Sequence, residues 1–597
     1  MDLTAECRRQ RPDGMLASPW LPPLGVLPFG LYFLVWLVTP GIILMLYSVW
    51  TSGFFTVIRE FTLSNYAEIL SSPLDLFLLG KSIAVGLLVA CILTVISFVV
   101  AYAITFRLGK WGQRVLIMVV ASLLASYLVR IYAWETILGT QGLINRALIK
   151  VGIIDQPLAF LLYGYFAIIV TLIYVWLPIP VLVTYAGMQN IDRRVLEASR
   201  DLGAGRIATL RGVAVPLAMP AVRVAFALSF VLSTADYITP SLVGGVSGQM
   251  VGSAINNYFG GAGNFPKGAA LAIVLIAAMV LTLAVAEILG RALGRVVNRA
   301  ARALSRRKRS QANQSGFRAT LTRVGKDFPF AQVGTVLALV FLFSPLFVVL
   351  LFSFNDSRIP GLPLVGLTTH WYGQAITSPD FLQVLKTSLV VMAIAVPAGL
   401  LIGVPAAFAV VRRQFLLRVP LTVALFGPLA IPGIVIGIAL LATLTLLNIP
   451  LGAQATAAAH TLLVIPFIVL VARAALQDMD PNLEEAARDL GSGRWRVLRT
   501  ITFPLLLPSI LGAALLSAAV SLDEILVTNF TSGTEPTLPV WILGRIRRDL
   551  SPAINAVAVM VLCASLLLIA TAAIILRLKR ATDLAATIAA GHVELGR

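Results

Sequence analysis

Long hydrophobic stretches alternate with short polar connections over almost the whole chain. The run LYFLVWLVTPGIILMLYSVW (31–50) shows no period-two alternation. It matches the roughly 20 helical residues that a hydrocarbon core of about 30 Å requires. Comparable segments fall at 24–50, 82–106, 115–138, 160–186, 216–237 and 268–290, then at 331–353, 387–411, 420–447, 455–476, 504–526 and 553–577. They predict twelve membrane-spanning helices in two groups of six. A closed β-barrel would show alternating segments of about ten residues instead. The fold class expected is therefore an all-α polytopic membrane protein.

The two groups repeat each other. Pro40 and Ser48 stand opposite Pro345 and Ser353, and Lys81 stands opposite Lys386, at an offset of 305. Further on the offset is 288, pairing Pro178 with Pro466, Gln189 with Gln477 and Asp192 with Asp480. Similarity at a fixed offset, with an even number of spans per half, signifies a parallel repeat, as in a fusion of two related subunits. The expected organisation is an N-terminal segment 1–23, a first half 24–290, a basic linker 291–330, a second half 331–580 and a tail 581–597.

Composition supports the membrane assignment: 58% of the 597 residues are hydrophobic and 12% are charged, with a mean hydropathy of +0.92. The net charge of +19 would suit nucleic-acid binding if it formed a binding face. Its placement excludes that reading. Arg107, Lys110 and Arg114 share one short connection, Arg412, Arg413 and Arg418 another, and the largest cluster spans Arg291 to Lys326. Basic connections after spans two, four and six of each half mark the cytoplasmic side, so both termini are expected there. Lys81 and Lys386 are expected to snorkel outward. Three scattered cysteines and three scattered histidines offer no disulfide framework, metal site or catalytic constellation.

One polar connection is unlike the others. LEASRDLGAGRIATLRGVAVPLAMP (196–220) returns 288 positions later as EEAARDLGSGRWRVLRTITFPLLLP (484–508), with 13 of 24 positions identical from Glu197 to Pro220. Glutamate near the start suits a helix N-terminus, and Gly203 can take a positive φ and end that helix. Pro216 and Pro220 suit the first turn of the helix that follows. The expected product is a compact helix-turn-helix presented for docking into a partner's groove.

Glu197-Ala198, Gly203 and Pro216, and again Glu485-Ala486, Gly491 and Pro504, resemble the EAA loops of binding-protein-dependent ABC importer permeases. The resemblance implies that these residues, with Arg206 and Arg494, form two loops that couple the membrane helices to separate ATPase subunits. It also implies a periplasmic substrate-binding protein as partner, in a bacterial inner membrane, with one ATPase copy per loop. The first copy reads Glu-Ala-Ser where the second reads Glu-Ala-Ala, a change that leaves the helix intact. No G-x-x-x-x-G-K-[ST] phosphate loop occurs. ATP and Mg are therefore expected on the partner ATPase, no cofactor on this chain, and no enzymatic activity of its own.

Beyond the loops, SYLVRIYAWETILGTQGLIN (126–145), DYITPSLVGG (236–245), SLDEILVTNFTSG (521–533) and TLPVWILGRIRRDLSPAINAVA (537–558) resemble permeases for spermidine and putrescine. Acidic residues within spans usually line a cavity. Glu135 follows Tyr132 and Trp134, Asp236 precedes Tyr237, and Asp523-Glu524 stands opposite Ala235-Asp236. Carboxylates beside aromatic faces would suit protonated amines, whereas a belt of Trp and Tyr at the outer interface would be ordinary. Arg130 is expected to neutralise Glu135. The same machinery importing ferric iron, thiamine, phosphonate or an opine is an alternative. An ion-gradient-driven secondary transporter with two parallel halves is another, and it would not need paired loops.

Overall fold

The computed structural model describes residues 24–53, 56–123, 125–312, 330–357, 364–548 and 552–567. The expected segments 1–23 and 581–597, the end of the linker and the end of the twelfth span lie outside them. Among the described residues eight helices are long and apolar enough to cross a membrane, and three bent pairs bring the total to 11. A shorter apolar helix, Pro552–Leu567, occupies the twelfth position.

The third span of each half is not a straight rod. Lys110–Ser122 and the helical stretch from Tyr127 meet at 90°, and Arg418–Ala430 meets Gly433–Leu446 at 96°. Ser126 and Pro432 occupy matching places in the two breaks, with φ, ψ of −49°, 136° and −55°, 133°. Such extended angles end one helix and re-aim the next. Hydropathy reports only that both arms are apolar, so it merges them.

Local contacts obey the repeat. The Ser72 and Ser378 hydroxyls cap the two 34-residue second spans, Pro73–Phe106 and Pro379–Arg412. The Ser82 and Ser388 hydroxyls accept from the Val251 and Leu538 amides at 2.9 and 2.7 Å. The Tyr66 hydroxyl donates to Ser48 at 2.7 Å, and Tyr372 lies 2.6 Å from Ser353.

Each first span leaves its own half to pack on the other. Phe29 is buried among Ala406, Ala407 and Val410, and the Tyr32 hydroxyl donates to the Ala458 carbonyl at 2.6 Å. Reciprocally, Phe341 of Phe330–Ser353 packs between Trp134 and Tyr174, with ring centroids 5.5 and 5.7 Å away. The halves are interlocked by apolar and aromatic packing, since lipid tails give helices no hydrophobic drive to associate.

The sixth span of the first half does not stop at 290. Phe265–Ala312 is one helix of 48 residues, about 72 Å long at 1.5 Å per residue. The basic linker expected at 291–330 is thus helical as far as Ala312, because its Ala-, Arg- and Leu-rich sequence consists of strong helix formers.

Candidate coupling loops and membrane core

Each conspicuous loop folds into the same shape. Arg193–Asp201 and Asn482–Asp489 are short helices. Their starts are fixed by Asp192 and Asp480, whose carboxylates accept from the Arg194 and Asn482 amides at 2.9 and 3.0 Å. Glu197 therefore lies inside its helix and not at its start, whereas Glu485 stands in the first turn of the second, as expected. Both are exposed, as are Ala198 and Ala486. Gly203 and Gly491 then take the same left-handed φ of +81°. Leu202 and Leu490 just before them are 89% and 88% exposed.

After each turn the helix resumes at Arg206 and Arg494, ten residues before the proline. Pro216 and Pro504 fall, as expected, in the first turn of the α-helices Val215–Thr234 and Phe503–Asp523, while Pro220 and Pro508 lie further inside them. Segments Leu210–Ala214 and Leu498–Thr502 widen to π geometry, with the Val215 and Phe503 amides bonding five residues back to Leu210 and Leu498. The wider turn accommodates the ring and the missing N–H of Pro216 and Pro504. The first span solves the same problem the same way, with Leu34–Val38 in π geometry before Pro40.

The loops differ where they meet the membrane. Leu196 and Ala214 are buried apolar residues in the first. Their counterparts are Glu484 and Thr502, whose hydroxyl donates to the Glu484 carboxylate at 3.0 Å. Arg412 and Arg488 each approach that carboxylate to 3.6 Å. Glu484, which sequence reasoning passed over for Glu485, is thus the glutamate that seats the second loop. Replacing Glu484 with alanine should destabilise the protein by about 2–4 kcal/mol, because it strands the mostly buried Arg412 guanidinium. The double change Glu484→Leu with Thr502→Ala copies the first loop and should lose less than the sum of its single changes. Thermal unfolding of the four variants checks this; strict additivity would refute the link.

The fifth spans, Val215–Thr234 and Phe503–Asp523, rise from these loops and converge at their far ends on Tyr127. The Asp523 carboxylate accepts from the Tyr127 amide at 2.8 and 3.0 Å, and the Tyr127 hydroxyl donates to Asp236 at 2.6 Å. With the far ends together, the two loops lie at the same end of the molecule. The junction lies beside Gly86, where an added Cβ would collide with Thr234. Gly86 stands ~20 Å from one end of its second span and ~30 Å from the other, counting 1.5 Å per residue, so the junction lies well inside the length of that helix.

Most of the predicted acids here have structural partners. Asp236 also accepts from the Ile238 and Thr239 amides, both at 3.0 Å, and from the Thr239 hydroxyl at 2.9 Å. Glu524 accepts from the Val527 amide at 2.8 Å. Arg130 does not neutralise Glu135. It donates to the Val175 carbonyl at 2.9 Å and faces Asp523 at 3.9 Å. The helical stagger carries Arg130 and Glu135 to different faces. Glu135 is buried, and one of its carboxylate oxygens has no hydrogen-bond partner among the described residues. Tyr132 and Tyr237 are completely buried, and Trp134 packs edge-on to Tyr174 at 5.8 Å. The Tyr237 ring lies 5.9 Å from Phe530.

Other residues went unnoticed in the sequence. Tyr127 joins the two halves, yet one more aromatic in an apolar run carries no signal. His460 is buried, with its two ring nitrogens 2.8 Å from Ser521 and 2.7 Å from Thr528; the first half has leucine there. Lys81 is not simply turned outward, since its ammonium donates to the Ser247 carbonyl at 2.6 Å. Lys386 is exposed. No cluster of three metal-ligating side chains occurs among the described residues.

Comparison with known proteins matches this geometry to a family. The profile described as "Binding-protein-dependent transport system inner membrane component" matches twice, over residues 84–299 and 396–582. The spermidine/putrescine transport system permease protein PotC of Escherichia coli K12 is 32% identical over 238 residues, covering 40% of this chain and 90% of that protein. The putrescine permease PotI of the same organism is 30% identical over 242 residues, covering 39% and 86%. PotB of Salmonella typhimurium is 31% identical over 219 residues, covering 36% and 74%. Among solved structures, a bacterial ABC transporter involved in alginate import aligns over 44% of this chain and 99% of that one, at 16% identity and a TM-score of 0.32. Two family matches in one polypeptide account for the repeat, and the chain belongs to the family of inner membrane components of binding-protein-dependent transport systems, with both permease halves fused in tandem.

Proposed function

We propose that this chain carries polyamines inward, driven by separate ATPase subunits that dock on its two loops. The single observation that supports the coupling is the pair of loops of identical shape at one end of the molecule, each with its turn glycine at φ +81°. Each has a bare leucine at its tip and continues into a fifth span. Two loops suit two ATPase copies, which hold ATP and Mg; this chain holds neither. Closure of the ATPase pair would draw the loops together, and the fifth spans would carry that movement to the Tyr127 junction. The coupling end is the cytoplasmic end on this reading, with both chain termini on the same side. The domain limits read from the sequence are retained: halves at 24–290 and 331–580, joined by 291–330.

The polyamine assignment is supported by charge near the junction. Asp236, Asp523 and Glu524 gather there, Asp523 facing Arg130 at 3.9 Å, and Glu135 is buried further along Tyr127–Leu138 with one carboxylate oxygen unpartnered among the described residues. Carboxylates within a bilayer are costly and are kept where they face a cavity or a cation. The similarity to spermidine and putrescine permeases agrees with this reading. Tyr132, Trp134 and Tyr237 are assigned to the walls of the pathway, where their packing holds the acids in place.

The opposite end carries two clefts related by the repeat. In the first half Asp75, Tyr237, Asn256 and Asn257 line one. In the second half Asp380, Glu535, Arg545, Arg547 and Arg548 line a cleft of about 550 Å³. We assign this end to the periplasmic binding protein.

The deciding experiment reconstitutes the chain in nanodiscs with its ATPase and binding protein. ATP hydrolysis is compared with putrescine, spermidine, ferric iron, thiamine or no cargo. Stimulation by polyamines alone is expected. Stimulation by another cargo would discard the polyamine assignment, and failure of any ATPase to bind would discard the coupling.

A further inference from the structure

A groove of about 820 Å³ runs beside the fifth span of the first half, starting at the coupling end. One wall is the stripe Pro216, Met219, Arg223 and Phe226, and the other is Leu283, Glu287, Gly290 and Gly294 of the sixth span. The wall spacings of three and four residues place each set on one helix face. Its deep part is apolar, and glycines at 290 and 294 keep the coupling end open.

The charges gather at that same end. Arg211 and Arg223 line the groove, and Arg223 reaches Glu287 at 3.1 Å. Arg291, one turn further along, donates to the same Glu287 at 2.6 Å. Two guanidiniums thus share the Glu287 carboxylate, Arg211 adds a third positive charge to the groove lining, and Arg211, Arg223 and Arg291 all remain substantially exposed. An apolar slot with a net positive mouth at one membrane face has the chemistry of an anionic lipid site. The second half does not repeat this arginine, since Leu511 stands where Arg223 does.

We propose that this groove binds one anionic glycerophospholipid, its phosphodiester on Arg211 and Arg223 and an acyl chain along Met219, Phe226 and Leu283. The bound lipid braces the π segment Leu210–Ala214, which leads from the first coupling loop into its fifth span. The two halves are thereby unequal: one is braced by lipid and the other by the Glu484–Arg412 pair. This inference does not depend on the cargo or on the ATPase.

The test is native mass spectrometry of the full chain released from nanodiscs containing equal phosphatidylglycerol and phosphatidylcholine. The wild type should retain one phosphatidylglycerol. A basic side chain near an anionic surface accounts for about a fivefold change in affinity, so Arg211→Ala with Arg223→Leu should reduce retention about tenfold or more. Ala286→Trp fills the slot and leaves every charge in place; it should expel the lipid and decides the matter should the arginine variant not fold. Unchanged retention in Ala286→Trp would overturn the proposal. Displacement of the lipid by millimolar inorganic phosphate would also overturn it, by reducing the site to one for small anions.

Discussion

Valine at Gly203 is expected to abolish cargo-stimulated ATP hydrolysis and uptake while leaving the protein inserted in the membrane. At φ +81° a β-branched side chain meets its own backbone, at a cost of about 1–3 kcal/mol. No neighbour would obstruct the new Cβ, for the space within 4 Å is empty. The penalty is therefore purely conformational. The chain escapes it by reopening the turn, which moves Leu202 and the exposed face of Arg193–Asp201 away from the ATPase proposed to dock there. The turn itself is exposed, Leu202 to 89%, and the buried Leu196 is left in place, so thermal stability should fall by little more than that penalty. Gly491→Val should behave alike, and Gly203→Ala should be milder. Full uptake by Gly203→Val in proteoliposomes would remove the loop from the coupling pathway.

The loops were legible in the sequence because their physics is local. A turn that needs glycine, a helix of nine residues and a proline beyond it are written within 25 positions, and the repeat wrote them twice. The spans were legible because apolar length is additive along the chain. What hydropathy could not show was direction. The break at Ser126 has no proline to announce it, whereas Pro432 gives the second half a visible signal. Gly433 has its reason only in three dimensions, where a Cβ would come within 2.9 Å of the Leu526 Cβ. Charge partners were the hardest to read. Proximity in sequence suggested Arg130 with Glu135, but Arg130 reaches Asp523, almost 400 residues away, because the halves are interlocked. The same distance hid Tyr127.

Asp523→Ala is the second change with a large expected effect, and it follows from that interlocking. The Asp523 carboxylate does two things at once: it caps the first turn of Tyr127–Leu138 in the opposite half and faces the buried Arg130 guanidinium. An N-cap contributes about 0.5–2 kcal/mol, and breaking a fully buried ion pair costs about 3–5 kcal/mol. Here the Asp523 side chain is 27% exposed and the pair is 3.9 Å apart, so the total should lie near 2–4 kcal/mol. Asp523→Asn keeps an oxygen for the Tyr127 amide and loses only the charge, so it should recover the capping share. Tyr127→Phe keeps the capped amide and deprives Asp236 of one of four donors, a loss of about 1.5–3 kcal/mol for a bond to a charged acceptor. Function should follow the same order, because Asp523 ends a 21-residue helix that begins at the second coupling loop. If that helix transmits loop movement to the opposite half, the complex reconstituted with Asp523→Ala will hydrolyse ATP at a rate indifferent to loaded binding protein, even where the variant is stable enough to purify. Normal stimulation in a variant with lowered thermal stability would make Asp523 a fastening of the fold alone, and the link from loop to junction would have to run through Asp236 in the first half.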